Sequence, residues 1–197
     1  MECPGRGQGR PQYPLILLMT KLIHSKTVFS TPWFKLLAKR VDQEADPYYS
    51  LQTADYVSIV AVTNKGRVLL VRQYRPAVER MTLELPSGHV DGGMTPEDAA
   101  KQELLEETGY LARQVELLGC ICPDTGRLAN RMWCFFASGV TRSEVPHVME
   151  PGIELTDCTP EELMDYILEF KFDHALHLAA VLLAILKGKI PGKPAWV

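Results

Sequence analysis

The sequence lacks most of the features that assign a protein quickly. Positive charge is not in excess: 21 Lys and Arg stand against 24 Asp and Glu, a formal net charge of −3. The basic footprint of a nucleic-acid binder is therefore missing, and no nucleic-acid partner is expected. An anionic chain also needs a counter-cation or local arginines to hold a polyanionic substrate. Cysteine is sparse, with five at positions 3, 120, 122, 134 and 158. An odd count without zinc-type spacing excludes a disulfide framework. Reduced thiols and a cytoplasmic location follow by default. Cys120 and Cys122 share one face of a strand, which reads as packing. The apolar run PLILLMTKLI is broken by Lys21 and is shorter than a bilayer span. It has no small-residue cleavage pattern, so neither a signal peptide nor a membrane partner is expected. There is no internal repeat. No G-x-G-x-x-G turn is present, and the elements do not alternate as βαβ units, which argues against a Rossmann sheet.

What is present is an ordinary globular composition, 46% hydrophobic over 197 residues, enough for one domain with a real core. Residues 1–13 are rich in Gly, Pro and Arg and read as disordered, and 1–30 as a whole as an extension. Trp33–Val41 and Tyr48–Thr53 read as N-terminal strands within 31–54, ahead of a main domain over 55–190. Asp55–Thr63 is a β-branched buried strand; the turn Asn64-Lys65-Gly66 returns it through Arg67–Gln73 as a hairpin. Met81–Pro86, Val115–Cys122, Arg131–Ser138 and Ile153–Asp157 read as further strands. Val140–Gly152 reads as a polar loop of the length that carries function. Thr159-Pro160-Glu161-Glu162 opens one late helix and Asp173–Leu186 forms another. The expected class is α/β, with helices covering a mixed sheet.

The central stretch is Gly88–Tyr110, GHVDGGMTPEDAAKQELLEETGY. Thr95 and Pro96 mark a helix start and Gly109 its stop. Glu103, Glu106 and Glu107 fall on one helical face, where like charges repel by roughly 0.2–0.5 kcal/mol per pair. They also oppose the helix dipole. A solvated acidic face is the plain reading. A divalent cation against that face is the other, since hard cations take carboxylate oxygens. The glycines at 88, 92 and 93 allow close backbone approach to a ligand.

At this box the chain resembles the Nudix hydrolases: Gly88, Glu103, Leu104, Glu106, Glu107, Gly109 and Tyr110 occupy that family's pattern at its spacing. VRQYRPAVER, ELPSG and DTGRLAN extend the resemblance to the branch that hydrolyses ADP-ribose and nucleoside diphosphate sugars. The family's first box glutamate is Met94 here and its arginine is Gln102. In a helix preceded by a loop those two side chains could face one another.

The resemblance implies a Nudix-type α/β/α sandwich with a mixed sheet, and N-terminal strands that build a homodimer. It implies Mg²⁺ as cofactor, Mn²⁺ as an alternative, with metal ligands from Ser87, Gly88, Glu103, Glu106 and Glu107. The substrate implied is a nucleoside diphosphate sugar, ADP-ribose first and GDP-mannose or a UDP-sugar behind it. A catalytically weak nucleotide-binding or regulatory module is the competing reading, motivated by Met94 and Gln102. Hydrolysis needs a base for the attacking water; Glu150 is the choice, ahead of Glu144 and Glu154, because it precedes the late strand. Glu106 is a second catalytic candidate. Arg72 and Arg75 are candidates for phosphate or ribose, Glu84 for sugar hydroxyls or base, and Tyr74 for base stacking; an ion pair or packing is the plain alternative for each. Arg127 and Arg131 are weaker phosphate candidates. His174 and His177, on an apolar helix, read as structural.

Overall fold

The computed structural model describes residues 22–41, 46–145 and 149–192. The 1–13 stretch, most of the apolar run that follows it, and Cys3 lie outside the described residues. Two sheets are formed. The smaller is antiparallel, β1 (His24–Ser30), β2 (Lys35–Arg40) and β3 (Tyr48–Gln52), in that order. The sequence stretch read as an extension thus ends in a strand. It pairs with β2, where His24 faces Arg40 and Ser30 faces Lys35.

The larger sheet contains β4 (Tyr56–Thr63), β5 (Val68–Arg75), β6 (Arg80–Glu84), β7 (Ser87–His89), β8 (Tyr110–Leu111), β9 (Glu116–Ile121), β10 (Met132–Arg142) and β11 (Ile153–Cys158). Its main order is β11-β5-β4-β10-β8, with β6 beside β5, β7 beside β4 and β9 beside β10. The β4–β10 pairing is parallel and the others are antiparallel, so the sheet is mixed as expected. Thr63 closes the β4–β5 hairpin, its carbonyl accepting from Gly66 N–H and its own N–H donating to the Arg67 carbonyl; Gly66 takes the left-handed conformation (φ 74°) that favours glycine. Strand β10 runs on to Arg142, so the expected polar loop starts later than its sequence suggests.

Helix α1 (Pro96–Thr108) covers one face of the sheet; α2 (Pro160–Leu168) and α3 (Ala175–Leu186) cover the other. On the α1 side, Ala99, Ala100 and Leu104 pack on Val57, Ile59, Ala61, Leu69 and Phe135. On the opposite side, Leu163, Phe172, Ala180, Val181 and Ala184 pack on Val60, Leu70, Leu118, Met132 and Phe136. Burial of each large apolar side chain contributes about 1.5–3 kcal/mol, and the two clusters make the three-layer sandwich. Among the described residues no helix is long and apolar enough to cross a membrane.

Candidate active site

Helix α1 is set by its ends. Thr95 Oγ1 accepts from Asp98 N–H, Pro96 opens the first turn, and Gly109 closes the last with φ 72°, its N–H donating to the Leu105 carbonyl. Because Ala100 and Leu104 anchor the helix to the sheet, Glu103 and Glu107, one turn apart, project along its side toward β7. From its glycines the Ser87–His89 segment reads as a loop. It is instead a strand, with Tyr56 opposite His89, Val57 opposite Gly88 and Ser58 opposite Ser87. The pairing fixes its backbone against the carboxylates. Ser87 N–H donates to Glu107 Oε2 at 2.9 Å. The Glu103 carboxylate packs where a side chain at Gly88 would stand, so only glycine leaves it room.

These residues line a cavity of about 570 Å³ that also takes in Gln73, Arg75, Asp91, Glu150 and His174. Burial pushes Glu103 up to about 7, helped by the charges of Glu106, Glu150 and Asp91. Burial pushes Glu107, only 3% exposed, up to about 8; the Ser87 N–H pulls it down and Glu103 pushes it up again. The donors are all oxygens, crowded and partly withdrawn from water. Protonation or a hard divalent cation relieves that crowding, and the donor set fits Mg²⁺ or Mn²⁺.

The other expected site residues divide. Glu150 lies at the cavity wall and acts electrostatically on both Glu103 and Glu107. Glu144 and Glu154 are exposed and do not line the cavity; Glu154 stands opposite Arg72 across β11 and β5. Glu106 points along the next stripe of the helix, where its Oε1 accepts from Gln102 Nε2 at 2.8 Å. It does not line the cavity, although its charge acts on Glu103. Met94 packs against the apolar cluster under α1, and Gln102 reaches Glu106.

On β5 the alternation sends Gln73 and Arg75 into the cavity and turns Arg72 and Tyr74 outward. Tyr74 is 55% exposed and does not line the cavity, which argues against its stacking role; Arg72 falls outside for the same reason of strand parity. Glu84 is fully buried, and both its oxygens accept from Arg75, at 2.8 and 2.7 Å, with Thr82 Oγ1 adding a third bond. Burial raises the Glu84 pKa, but the bonds from Arg75 and Thr82 outweigh it and bring it to about 2. Its job here is to hold Arg75, and it presents no oxygen to a sugar. His177 accepts from Leu85 N–H through Nδ1 and is held neutral, its pKa pushed down to about 3 by burial and by His174. That matches the structural reading. His174, stacked on His177 at 3.9 Å, does reach the cavity, which its place on an apolar helix does not suggest. Glu84, His174 and His177 cluster closely enough for a metal. The Arg75 guanidinium on Glu84 and the amide hydrogen on His177 Nδ1 already occupy those ligand atoms, so a cation there would meet a fixed positive charge. Sequence reasoning also missed Tyr56 and His89, whose rings stack at 4.7 Å on the cavity wall. Nothing in a tyrosine at a strand start announces that contact.

The sequence pattern of the NUDIX domain family matches residues 52–179. The chain is 32% identical over 113 residues to an ADP-ribose pyrophosphatase of Bacillus subtilis (strain 168), covering 57% of this chain and 58% of that protein. It is 30% identical over 115 residues to a methanol dehydrogenase activator of Bacillus methanolicus, covering 57% and 62%. An ADP-sugar pyrophosphatase of Mus musculus is 39% identical over 79 residues, 38% of this chain and 36% of that protein. Each match spans less than two thirds of the relative. A crystal structure of an ADP compounds hydrolase superposes with a TM-score of 0.72 at 21% identity, over 86% of this chain and 95% of that one, and shares the fold.

Proposed function

The chain belongs to the NUDIX domain family, and from that premise we propose that it hydrolyses the pyrophosphate bond of a nucleoside diphosphate sugar, ADP-ribose first, with Mg²⁺. The observation that carries this is the pair Glu103 and Glu107, packed against Ser87 and Gly88 in a cavity that also presents Arg75. Glu103 and Glu107 would hold the cation with the Ser87 carbonyl, and Glu106 would act on it from the next stripe. A bound divalent cation neutralises pyrophosphate charge and polarises water. Arg75, held by Glu84 on one side, offers its remaining N–H groups to a phosphoryl oxygen. Glu150 takes the proton of the attacking water, a P–O bond to the bridging oxygen breaks, and a nucleoside monophosphate and a sugar phosphate leave. The names of the Bacillus subtilis and Mus musculus relatives support the adenosine preference; GDP-mannose and UDP-sugars stand behind it.

The domain is read as residues 55–190, with the N-terminal strands of 31–54 serving assembly as a homodimer. Exposed Phe29 on β1 and exposed Trp33 and Phe34 in the turn between β1 and β2 support this, since exposed apolar surface of that kind marks interfaces. The four free cysteines among the described residues support a reducing, cytoplasmic location.

The test is incubation with Mg²⁺ and a panel of ADP-ribose, GDP-mannose and UDP-sugars, following release of nucleoside monophosphate and sugar phosphate. ADP-ribose is expected to turn over fastest. Binding across the panel without product would overturn hydrolysis in favour of a nucleotide-binding module.

A further inference from the structure

The four cysteines among the described residues form two pairs with unlike surroundings. Cys134 and Cys158 lie in the apolar cluster under α2 and α3, where burial pushes their thiols up to about 11 and about 12. Buried thiols of that kind pack and stay inert. Cys120 and Cys122 belong to neither apolar cluster; Cys120 is half-buried and Cys122 exposed. Strand β9 ends at Ile121, so Cys122 lies one residue past the ladder. Trp133 stands opposite Cys120 and Met132 opposite Ile121. Strand alternation then puts Cys120, Cys122, Arg131 and Trp133 on one face of the sheet and Cys134 on the other. Arg131 Nη1 donates to Cys120 Sγ at 3.8 Å. That bond, followed by the charges of Cys120 and Cys122, pushes the Arg131 pKa up. Asp55 fixes the same face, accepting from the Arg131 backbone N–H and from Trp133 Nε1. Packing accounts for Cys134 and Cys158, but not for two solvent-facing thiols gathered around a guanidinium. A soft cation would meet that positive charge, and among the described residues neither thiol belongs to a group of three possible metal ligands.

We propose that Cys120 and Cys122 are a reversible oxidation site, closed to a disulfide by a hydroperoxide, and that closure moves the cavity wall at Pro123. With hydrogen peroxide, the exposed Cys122 thiolate attacks one peroxide oxygen. The O–O bond breaks, the sulfur is oxidised to a sulfenic acid, and the departing hydroxide takes up a proton as water. The Cys120 thiolate, beside Arg131, then attacks the Cys122 sulfur. The S–S bond forms, the S–O bond breaks, and the second hydroxide leaves as water with the remaining thiol proton. Two thiols have lost two hydrogens, and one peroxide has become two waters. Alternate residues of a strand stand about 6.5 Å apart between α-carbons, near the upper limit that a disulfide spans. The bond is therefore strained and readily reduced again, as befits a reducing location in which lasting disulfides are rare. Closure draws Cys122 toward Cys120. Pro123 comes next and lines the cavity, while the turn beyond it is pinned. Leu128 N–H donates to the Asp124 carbonyl, Leu51 N–H to the Arg127 carbonyl and Ala129 N–H to the Leu51 carbonyl. The displacement thus falls on Pro123. The thiol pair stands apart from the proposed hydrolysis; its effect on turnover alone rests on that reading.

The test treats the full-length protein with hydrogen peroxide, alkylates the remaining thiols after unfolding, and digests with trypsin. Cleavage after Arg113 and Arg127 isolates Gln114–Arg127, which carries Cys120 and Cys122 and no other cysteine. This peptide is expected to escape alkylation and to be lighter by two hydrogens than its reduced form, and dithiothreitol should restore it. Cys134 and Cys158 should be recovered alkylated. Arg131→Gln should slow closure about threefold, a rate effect that a packing role would not give. Amide exchange across residues 123–130 should rise severalfold on closure. Turnover on the substrate panel should fall about tenfold and return with dithiothreitol. Cys122→Ser, at an exposed position, should keep basal turnover and lose every response to peroxide. Full alkylation of the peptide after peroxide, oxidation that stops at sulfinic acid, or a bond from Cys122 to Cys3 or to a second chain would overturn the site. Closure that leaves amide exchange unchanged, or leaves turnover unchanged, would overturn the movement of the cavity wall. Absence of turnover in the untreated protein removes the hydrolase reading alone, because the peptide mass and the amide exchange still decide the thiol pair.

Discussion

The Glu103 carboxylate lies in the space that a side chain at Gly88 would occupy, so the strand residue and the helix residue are matched by shape as well as by chemistry. A β-carbon at position 88 would meet the movable end of Glu103, and the helix itself need not shift. Gly88→Ala is therefore expected to fold with a stability loss of about 1 kcal/mol or less. It should still weaken Mg²⁺ binding about tenfold or more by turning Glu103 aside, an effect comparable to losing a ligand's orienting partner. Cation titration beside a thermal melt would separate the two; unchanged Mg²⁺ affinity would remove Glu103 from the ligand set.

The raised pKa values of Glu103 and Glu107, about 7 and about 8 against 4.5 for a free glutamate, give a signed pH dependence. In the unfolded chain these groups lose their protons near 4.5; in the folded, cation-free protein they keep them longer. Their contribution to stability is thus fully present below about 4.5 and is lost as pH rises through about 7 and about 8. A cation binds the deprotonated carboxylates, so Mg²⁺ should raise Tm more at pH 9 than at pH 5. Melts of EDTA-treated protein across that range, with Glu107→Gln as the reference, would show it. A cation-free Tm difference that grows in favour of the native glutamate with pH would contradict the burial argument.

Glu84 holds Arg75 with two bonds and takes a third from Thr82, with none of its surface exposed. Glu84→Gln replaces one acceptor with a donor that faces the guanidinium. Because the Arg75 side chain retains 42% exposure, the loss should fall below the 3–5 kcal/mol of a fully buried pair, at about 2–3 kcal/mol. Urea denaturation would measure it. A loss under about 0.5 kcal/mol, the range of ordinary surface substitutions, would show that the pair is not structural.

Glu150 stands at the cavity wall within electrostatic reach of both Glu103 and Glu107, whereas Glu144 and Glu154 do not line the cavity. Glu150→Gln is expected to lower kcat by about 10²–10⁴-fold, the span of general acid–base catalysis, while Mg²⁺-dependent substrate binding changes little. Normal turnover in this variant would end its assignment as the base.

The exposed aromatic residues Phe29, Trp33 and Phe34 lead to a prediction about assembly. Sedimentation at micromolar concentration should give twice the 22.1 kDa of one chain. Trp33→Ser, at a side chain 75% exposed here, should shift the protein toward the monomer without lowering helix content. A monomer from the unsubstituted protein would count against the dimer.

Signals carried within a few residues are legible in the amino-acid sequence. Thr95, Pro96 and Gly109 bound α1; Asn64 to Gly66 turn the hairpin; Thr159 and Glu162 make the reciprocal cap that starts α2. The spacing of Glu103 and Glu107 places both on one helical face because 3.6 residues per turn is a property of the backbone. Other features depend on partners distant in sequence. The first half of β5, Val68–Val71, is buried on both faces, so its composition hides the parity that sends Gln73 and Arg75 inward and Arg72 and Tyr74 outward. Ser87–His89 is a strand because β4 is available to pair with it, despite a glycine that lowers strand preference. The burial of Glu84, the neutral His177 beneath it and the Tyr56–His89 stack each join residues from separate elements. Helix ends and turns are decided by local backbone hydrogen bonding, which the sequence by itself determined. Which strand face meets the cavity, and which carboxylate meets a guanidinium, only tertiary packing decided, because those contacts exist only once the layers close.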